Sequence, residues 1–486
     1  MALHWALLEQ NQAAVAARVR AHDYDQVLGT GWGGLDGFLV LLQELGILAL
    51  FETLGQGYQR RLIPLVLLLT TYSLKVLGGL SSMNQVPTLL FREVGLLQRI
   101  GFTVQQIEQG FSRRGKGRMR PIHKNTIADA LERLTPQEVA DLFNGAVRAQ
   151  AQAGCLTDTV FALDGCDLHT TARYPGAGAI TMTQTRLSKS GPHTSTVTRH
   201  GYLLSTLWGT GGRSAAAATL KPLGGGEVME LLPLVRQAQA NLVGKKGRVK
   251  ILLGDGGYCA GADLWQLKHT LGVHFVVRAT TTMRVCADAR GLLGEHDAWV
   301  THQERDDVAA VGVARLSSYE QYAPPKGSGR RGPPATINAV VITKWAGKPV
   351  PPGDEVILLT TLPVRHPLAV VDLYHRRSWI ENELHREFKQ GWHMERFPTK
   401  TDQACRAHVF LTLLLYSLAQ VFQTRRGQAL AQRGIRRLRA ERLSTIHTVI
   451  VIATPYFAIF DIEEFTLLLG APPKHLWRFR LPLLLS

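Results

Sequence analysis

Two short apolar runs, Thr-Val-Phe-Ala-Leu at 159–163 and Arg-Val-Lys-Ile-Leu-Leu at 248–253, lead into Asp-Gly pairs. Asp164-Gly165 follows the first directly, and Asp255-Gly256 follows the second after one glycine. Runs this short, bounded by turn formers, suit strands buried in a sheet better than helices. Between them lie strand-like stretches at 200–208 and 215–220, then a helical pattern over 227–242. Strands alternating with helices predict an α/β sheet. An acid at the end of such a strand stands at the rim, where active sites gather. Asp-Gly is also ordinary turn chemistry, so each pair alone leaves a structural reading open.

The flanking regions differ in character. From residue 1 to about 150 the periodicity is helical, interrupted by a basic stretch holding Arg113, Arg114, Lys116, Arg118, Arg120, His123 and Lys124. Helices joined by such a stretch can lay cations along a phosphate backbone, although a solvated loop has the same composition. Beyond 272 come β-rich runs at 274–279, 337–343 and 355–360, interrupted by a loop rich in Pro, Gly and cations at 324–334. They read as strands inserted between two parts of one domain. From 373 to about 426 the pattern is helical again, and the last sixty residues combine apolar segments with Arg433, Arg436, Arg437, Arg439 and Arg442.

Charge and cysteine usage narrow the function classes. Lys and Arg number 55 against 38 Asp and Glu, a net charge of +17. That excess favours polyanionic partners, nucleic acid or an anionic membrane surface. Cys155, Cys166, Cys259, Cys286 and Cys405 are scattered without a CxxC pair, which argues against a zinc knuckle or a disulfide framework and suits a reducing compartment. The N-terminal stretch lacks the basic-then-apolar order of a signal peptide. The most apolar run, 62–74, falls short of the roughly 20 residues that span a bilayer. A soluble, cytoplasmic protein without a membrane partner is expected.

The stretch 374–392 reads Tyr-His-Arg-Arg-Ser-Trp-Ile-Glu-Asn-Glu-Leu-His-Arg-Glu-Phe-Lys-Gln-Gly-Trp. As one helix at about 100° per residue it puts Tyr374, Arg377 and Glu381 within a narrow arc, with Lys389 within about 60° of Tyr374. A hydroxyl, a guanidinium, a carboxylate and an ammonium on one face suit a phosphate-handling surface with one metal ligand. A solvated face held by pairs such as Arg377 and Glu381 is the structural alternative.

Leu-Asp-Gly at 163–165, Gly-Asp-Gly-Gly-Tyr at 254–258 and the Tyr-x2-Arg-x3-Glu pattern followed by Lys resemble the DDE transposases of bacterial insertion sequences. The resemblance is to the insertion-sequence-four family with its Y-R-E-K signature, and it covers roughly 155–400. Arg-Tyr-Pro-Gly at 173–176 and the run 380–398 share its flavour. That family places six residues between Glu and Lys. Here seven separate Glu381 from Lys389, with Phe388 in the consensus place. Glu383 and Glu387 keep neither the Tyr nor the Arg spacing.

The resemblance implies a ribonuclease-H-like mixed sheet flanked by helices that gathers Asp164, Asp255 and Glu381. These acids would hold two Mg²⁺ ions, for which Mn²⁺ can substitute, with Asp164 bridging both. Such ions, roughly 4 Å apart, serve in-line displacement at a phosphodiester. The implied activity is cleavage at the transposon ends, followed by joining of the freed 3′-ends to target DNA. Tyr374, Arg377 and Lys389 would hold a backbone phosphate. The expected organisation is a helical DNA-binding region at 1–152, containing Arg113, Arg114 and Arg118; catalytic parts at 153–271 and 365–426; a β-rich insertion at 272–364; and a helical C-terminal region at 427–486. Trp299 and Trp345 in the insertion could stack on an unpaired base or simply fill a core. The partners expected are terminal inverted repeats, target DNA and a second copy when DNA is bound. Alternatives are an inactive transposase-derived DNA-binding protein and a metal-dependent nuclease without strand transfer. A peripheral membrane protein ranks last, because the apolar runs at 38–50 and 62–74 lack an interleaved basic face.

Overall fold

The computed structural model describes residues 8–30, 34–54, 63–111, 121–188, 191–225, 228–295, 300–301, 308–325, 335–345, 348–351, 353–380, 384–426 and 448–470. The chain divides into two compact units, one of residues 147–389 and one of residues 1–146 with 390–486.

In the first unit, the run before Asp164 opens strand β1 (Val160–Thr170), whose first five residues are all buried. The chain continues through β2 (Gly178–Ser188), the long β3 (Gly191–Gly209) and β4 (Ala215–Pro222). Helix α1 (Leu231–Leu242) leads to β5 (Ile251–Gly254), and helix α2 (Gly261–His269) leads to β6 (His274–Arg278). The C-terminal half of β3 lies between β1 and β4, antiparallel to both. On the other side β1 pairs in parallel with β5, and β5 in parallel with β6. The core order is therefore β4–β3–β1–β5–β6: a three-strand meander followed by two parallel strands, each reached through a helix. This is the ribonuclease-H-like sheet that the resemblance implies. Its strength is apolar: Phe161, Leu163, Leu252, Leu253, Phe275 and Val276 are at most 1% exposed, each contributing roughly 1.5–3 kcal/mol when buried.

The apolar run 274–279, grouped on sequence with the insertion, supplies a core strand. Two buried faces make β6 as continuously apolar as β5, which is how a central parallel strand reads. The inserted strands continue the sheet beyond it. After helix α3 (Arg284–Gly291) come β7 (Ala309–Leu316), β8 (Ile337–Trp345) and β9 (Val356–Thr360). β9 pairs antiparallel with β6, β8 with β9 and β7 with β8, within a sheet of eleven strands. Helix α4 (Pro367–His375) then packs on β6, β7 and β8.

In the second unit, helices Leu65–Leu77 and Lys124–Glu132 pack against helix Asp402–Arg426. Among the described residues one helix, Asp402–Phe422, is long and apolar enough to cross a membrane, and 83% of its most apolar window is buried. Near its N-terminal end the fully buried His408 faces the Tyr72 hydroxyl through Nδ1 at 2.7 Å. The expectation of a helical C-terminal region needs correction. Thr448–Ala453 and Tyr456–Asp461 are strands that join Gln26–Thr30 and Glu9–Gln10 in a four-stranded sheet. The cause is the β-branched run Val-Ile-Val-Ile at 449–452, which favours a pleated surface over a helix. Residues 433–442 lie outside those described.

Candidate active site

The register of β1 against β5 fixes the two aspartates. Ala162 is the partner of Leu253 in the parallel pair, so Asp164 stands two residues further along β1 and Asp255 two residues further along the neighbouring chain, the first residue past the end of β5. Side chains two residues apart point to one face, and neighbouring strands run about 4.8 Å apart. Two carboxylates separated by some ninety residues of sequence thus meet at one level of the sheet rim. Asp164 is 6% exposed. Asp255 opens the turn Gly256–Tyr258, and its carboxylate accepts the Gly257 N–H at 2.9 Å. Tyr258, the last residue of that turn, is 1% exposed.

Basic side chains surround these acids. Arg377 Nη1 lies 3.5 Å from Asp164 Oδ2, with both side chains under one-tenth exposed, and His385 Nε2 lies 3.8 Å from the same oxygen. The Arg377 guanidinium also lies 5.8 Å from the Tyr374 ring centre. Burial pushes the Tyr374 hydroxyl above its ordinary value, while the Arg377 and Arg278 cations pull it back. A cavity of about 460 Å³ opens here, lined by Asp255, Tyr374, Arg377, Arg278, Thr280, Thr281 and the backbone of Gly256 and Gly257. It presents one carboxylate, two guanidinium groups and three hydroxyls, an arrangement able to hold a phosphate next to a metal ligand.

The stretch 374–392 is not one helix. Helix α4 ends at His375; the Arg377 amide then donates to the Tyr374 carbonyl and the Ile380 amide to the Arg377 carbonyl, both at 3.0 Å. These i→i+3 bonds tighten the turn, in which residues three apart eclipse, so Tyr374 and Arg377 still meet. Further on, Glu387–Gly391 is π-helical. A π turn takes up more residues than an α turn, which gives the surplus residue between Glu381 and Lys389 a place to go. Phe388, in the consensus place, is 1% exposed and packs on Trp208, with ring centres 5.6 Å apart. Lys389 is half-buried.

Tyr374, Arg377, Asp164 and Asp255 are thus brought together. Glu381, Glu383, Arg113, Arg114, Arg118 and Trp299 lie outside the described residues, and Trp345 ends β8. Among the described residues no group of three or more His, Cys, Asp or Glu could hold a metal ion. Asp164 and Asp255 supply two hard oxygen donors, which fits Mg²⁺, an ion that needs few carboxylates besides water and substrate phosphate. Sequence reasoning passed over Arg278, Thr280, Thr281 and His385. Arg278 had a readable signal: it ends the third parallel strand at the same rim as the aspartates. His385 occupies no motif position and had none.

The family model for the transposase DDE domain matches residues 157–418, more than half of the chain. The chain belongs to the transposase DDE domain family. It is a DDE transposase, and the matched segment contains Asp164, Asp255 and Glu381 in that order. Among solved structures, a cryo-EM structure of the piggyBac transposase synaptic complex with hairpin DNA aligns at 8% identity with a TM-score of 0.42, covering 86% of this chain and 82% of that one. No curated protein matches the chain.

Proposed function

We propose that this DDE transposase, of the insertion-sequence-four type, cuts DNA at the ends of a bacterial insertion sequence and joins the freed 3′-ends to target DNA. The observation that carries the reading is the β1–β5 register, which sets Asp164 beside Asp255 next to the Arg377–Tyr374 pair. Asp164, Asp255 and Glu381 would hold two divalent ions, Mg²⁺ or Mn²⁺, which when bound activate the attacking oxygen and stabilise the leaving one.

The chain's own side chains do the rest. Arg377 offers a planar fork of donors to phosphate oxygens, and its contact with Asp164 orients both groups before substrate arrives. The half-buried Tyr374 hydroxyl stays protonated and donates to the same phosphate. Arg278, across the cavity, neutralises a second oxygen, while Thr280 and Thr281 add neutral donors. Lys389 would contribute a further cation from the π-helical turn. In cells the chain would act in the cytoplasm, as a dimer on paired transposon ends.

The reading is tested by incubating the purified chain with Mg²⁺ and the element's own end DNA, then mapping products. Strand cleavage followed by covalent joining of the 3′-end to a second duplex is expected. Cleavage without joining would make the protein a nuclease, and binding without cleavage an inactive derivative.

A further inference from the structure

Beyond the core sheet, β2 and the N-terminal half of β3 leave as a two-stranded antiparallel ribbon. Eleven pairs run from Gly178–Gly201 at its base to Ser188–Gly191 at its tip. At about 3.4 Å per residue it reaches roughly 34 Å, close to one helical turn of B-DNA. Its direction follows from the register. β5 stops at Gly254, while β1 runs on past Asp164 to Thr170, paired with β3 as far as His200. The ribbon therefore projects past the rim on which Asp164 and Asp255 stand.

One face of the ribbon is a threonine array. Thr181 is opposite Thr198, Thr183 opposite Thr196 and Thr185 opposite Thr194, and all six are exposed. The outer pairs share hydroxyl contacts of 3.1 and 3.2 Å. The other face, with Ile180, Met182, Val197 and Arg199, is half-buried. The charge of the region is one-sided. No Asp or Glu occurs anywhere in 168–226, whereas Arg173, Arg186, Lys189, Arg199, Arg213 and Lys221 do.

A row of exposed hydroxyls, free of anions and backed on the opposite face of the ribbon by Arg199, can donate to a surface of anionic oxygens. The major groove of B-DNA, about 12 Å wide, admits a two-stranded ribbon. We propose that this ribbon lies in the major groove of the duplex flanking the cleaved bond, its threonine face against the groove wall. The proposal rests on the DNA-cutting reading above and adds to it a contact outside the catalytic cavity. Thr206 is the partner of Asp164, and Thr196 lies ten residues further out along β3, about 34 Å. The ribbon therefore meets the duplex within about ten base pairs, one helical turn, of the reacting phosphate.

The test uses the full chain without divalent metal, so that nothing is cut, and duplex DNA carrying the element's end sequence as probe. Replacing Thr183→Glu together with Thr196→Glu sets carboxylates against phosphates and should weaken binding about tenfold or more. Thr183→Val with Thr196→Val keeps the β-branched shape, should cost less, and should melt like the parent because the sites are exposed; the two Glu, directly opposite each other, should lower the melt slightly by mutual repulsion. A photo-crosslinking residue at position 196 should mark the DNA within about one helical turn of the cleaved bond. Undiminished binding by the double Glu variant, or crosslinks that reach only a second protein chain, would overturn the proposal. The two readings fail separately. Binding and crosslinking without cleavage in Mg²⁺ would keep the ribbon and sink the cutting activity. Normal cleavage and normal binding by the double Glu variant would do the reverse.

Discussion

Arg377 and Asp164 face each other at 3.5 Å, each side chain less than one-tenth exposed. Removing one partner of such a buried pair strands the other charge, at a cost of about 3–5 kcal/mol. Arg377→Ala should therefore lower stability by about that much in denaturant titration, and Asp164→Asn in the same chain should restore part of it. A loss too small to measure would mean that the ion pair does not form. Arg377→Lys keeps the charge but not the fork, so it should fold yet bind phosphate-bearing substrate poorly. In the other unit, burial and the nearby Lys75 cation push His408 down to about 3. In the unfolded chain a histidine titrates near 6.5. Between those values the unfolded state binds a proton that the folded state refuses, so stability falls as pH drops from about 6.5 toward 3. The slope is about 1.4 kcal/mol per pH unit. His408→Gln should flatten that slope in melts run from neutral to acidic pH; an unchanged slope would place the titration elsewhere.

The ribbon branches from the sheet at Gly178 and Gly201, which are register partners. A Cβ at Gly201 would lie 2.1 Å from the Leu168 carbonyl oxygen, and one at Gly178 2.0 Å from that of Leu223. Backbone atoms cannot swing aside as a long side chain can, so overpacking here costs about 1–3 kcal/mol or more. Gly201→Ala should lower the melting temperature by several degrees or abolish folding, and an unaffected melt would contradict the packing. Elements of this kind explain what sequence could convey. β1 and β5 were readable because a strand buried on both faces is an unbroken apolar run, and Asp164 and Asp255 were readable because each ends one. β6 obeyed the same rule but sat next to the insertion's strands, and only pairing assigns it to the core. The break after His375 and the π turn at 387–391 left one trace, the extra residue before Lys389. Helical periodicity assumes a constant pitch and passes over both. The 448–461 hairpin was hidden by position, following a basic segment that reads as helix.

The whole chain carries a net charge of +17, and residues 168–226 contain no Asp or Glu, although Lys221 pairs with Glu230 from outside that stretch. A protein that neutralises six to ten phosphates loses roughly 10³–10⁵ in affinity between 50 and 200 mM salt. Affinity for duplex DNA should fall steeply and linearly on a log–log plot against salt, and salt-insensitive binding would contradict an electrostatic footprint. The double Glu change in the ribbon should act on top of this, since it adds repulsion without removing a cation.

The most direct measurement is the rate at which end DNA is cut, in Mg²⁺ and in Mn²⁺, by the parent chain and by Asp255→Asn and Glu381→Gln, with DNA affinity measured alongside. Asp255 is the sharper probe because it lies at the cavity edge, outside the buried ion pair. The account predicts that both substitutions abolish cleavage in either metal while leaving DNA binding close to that of the parent. Cleavage by Asp255→Asn at the parental rate would contradict it.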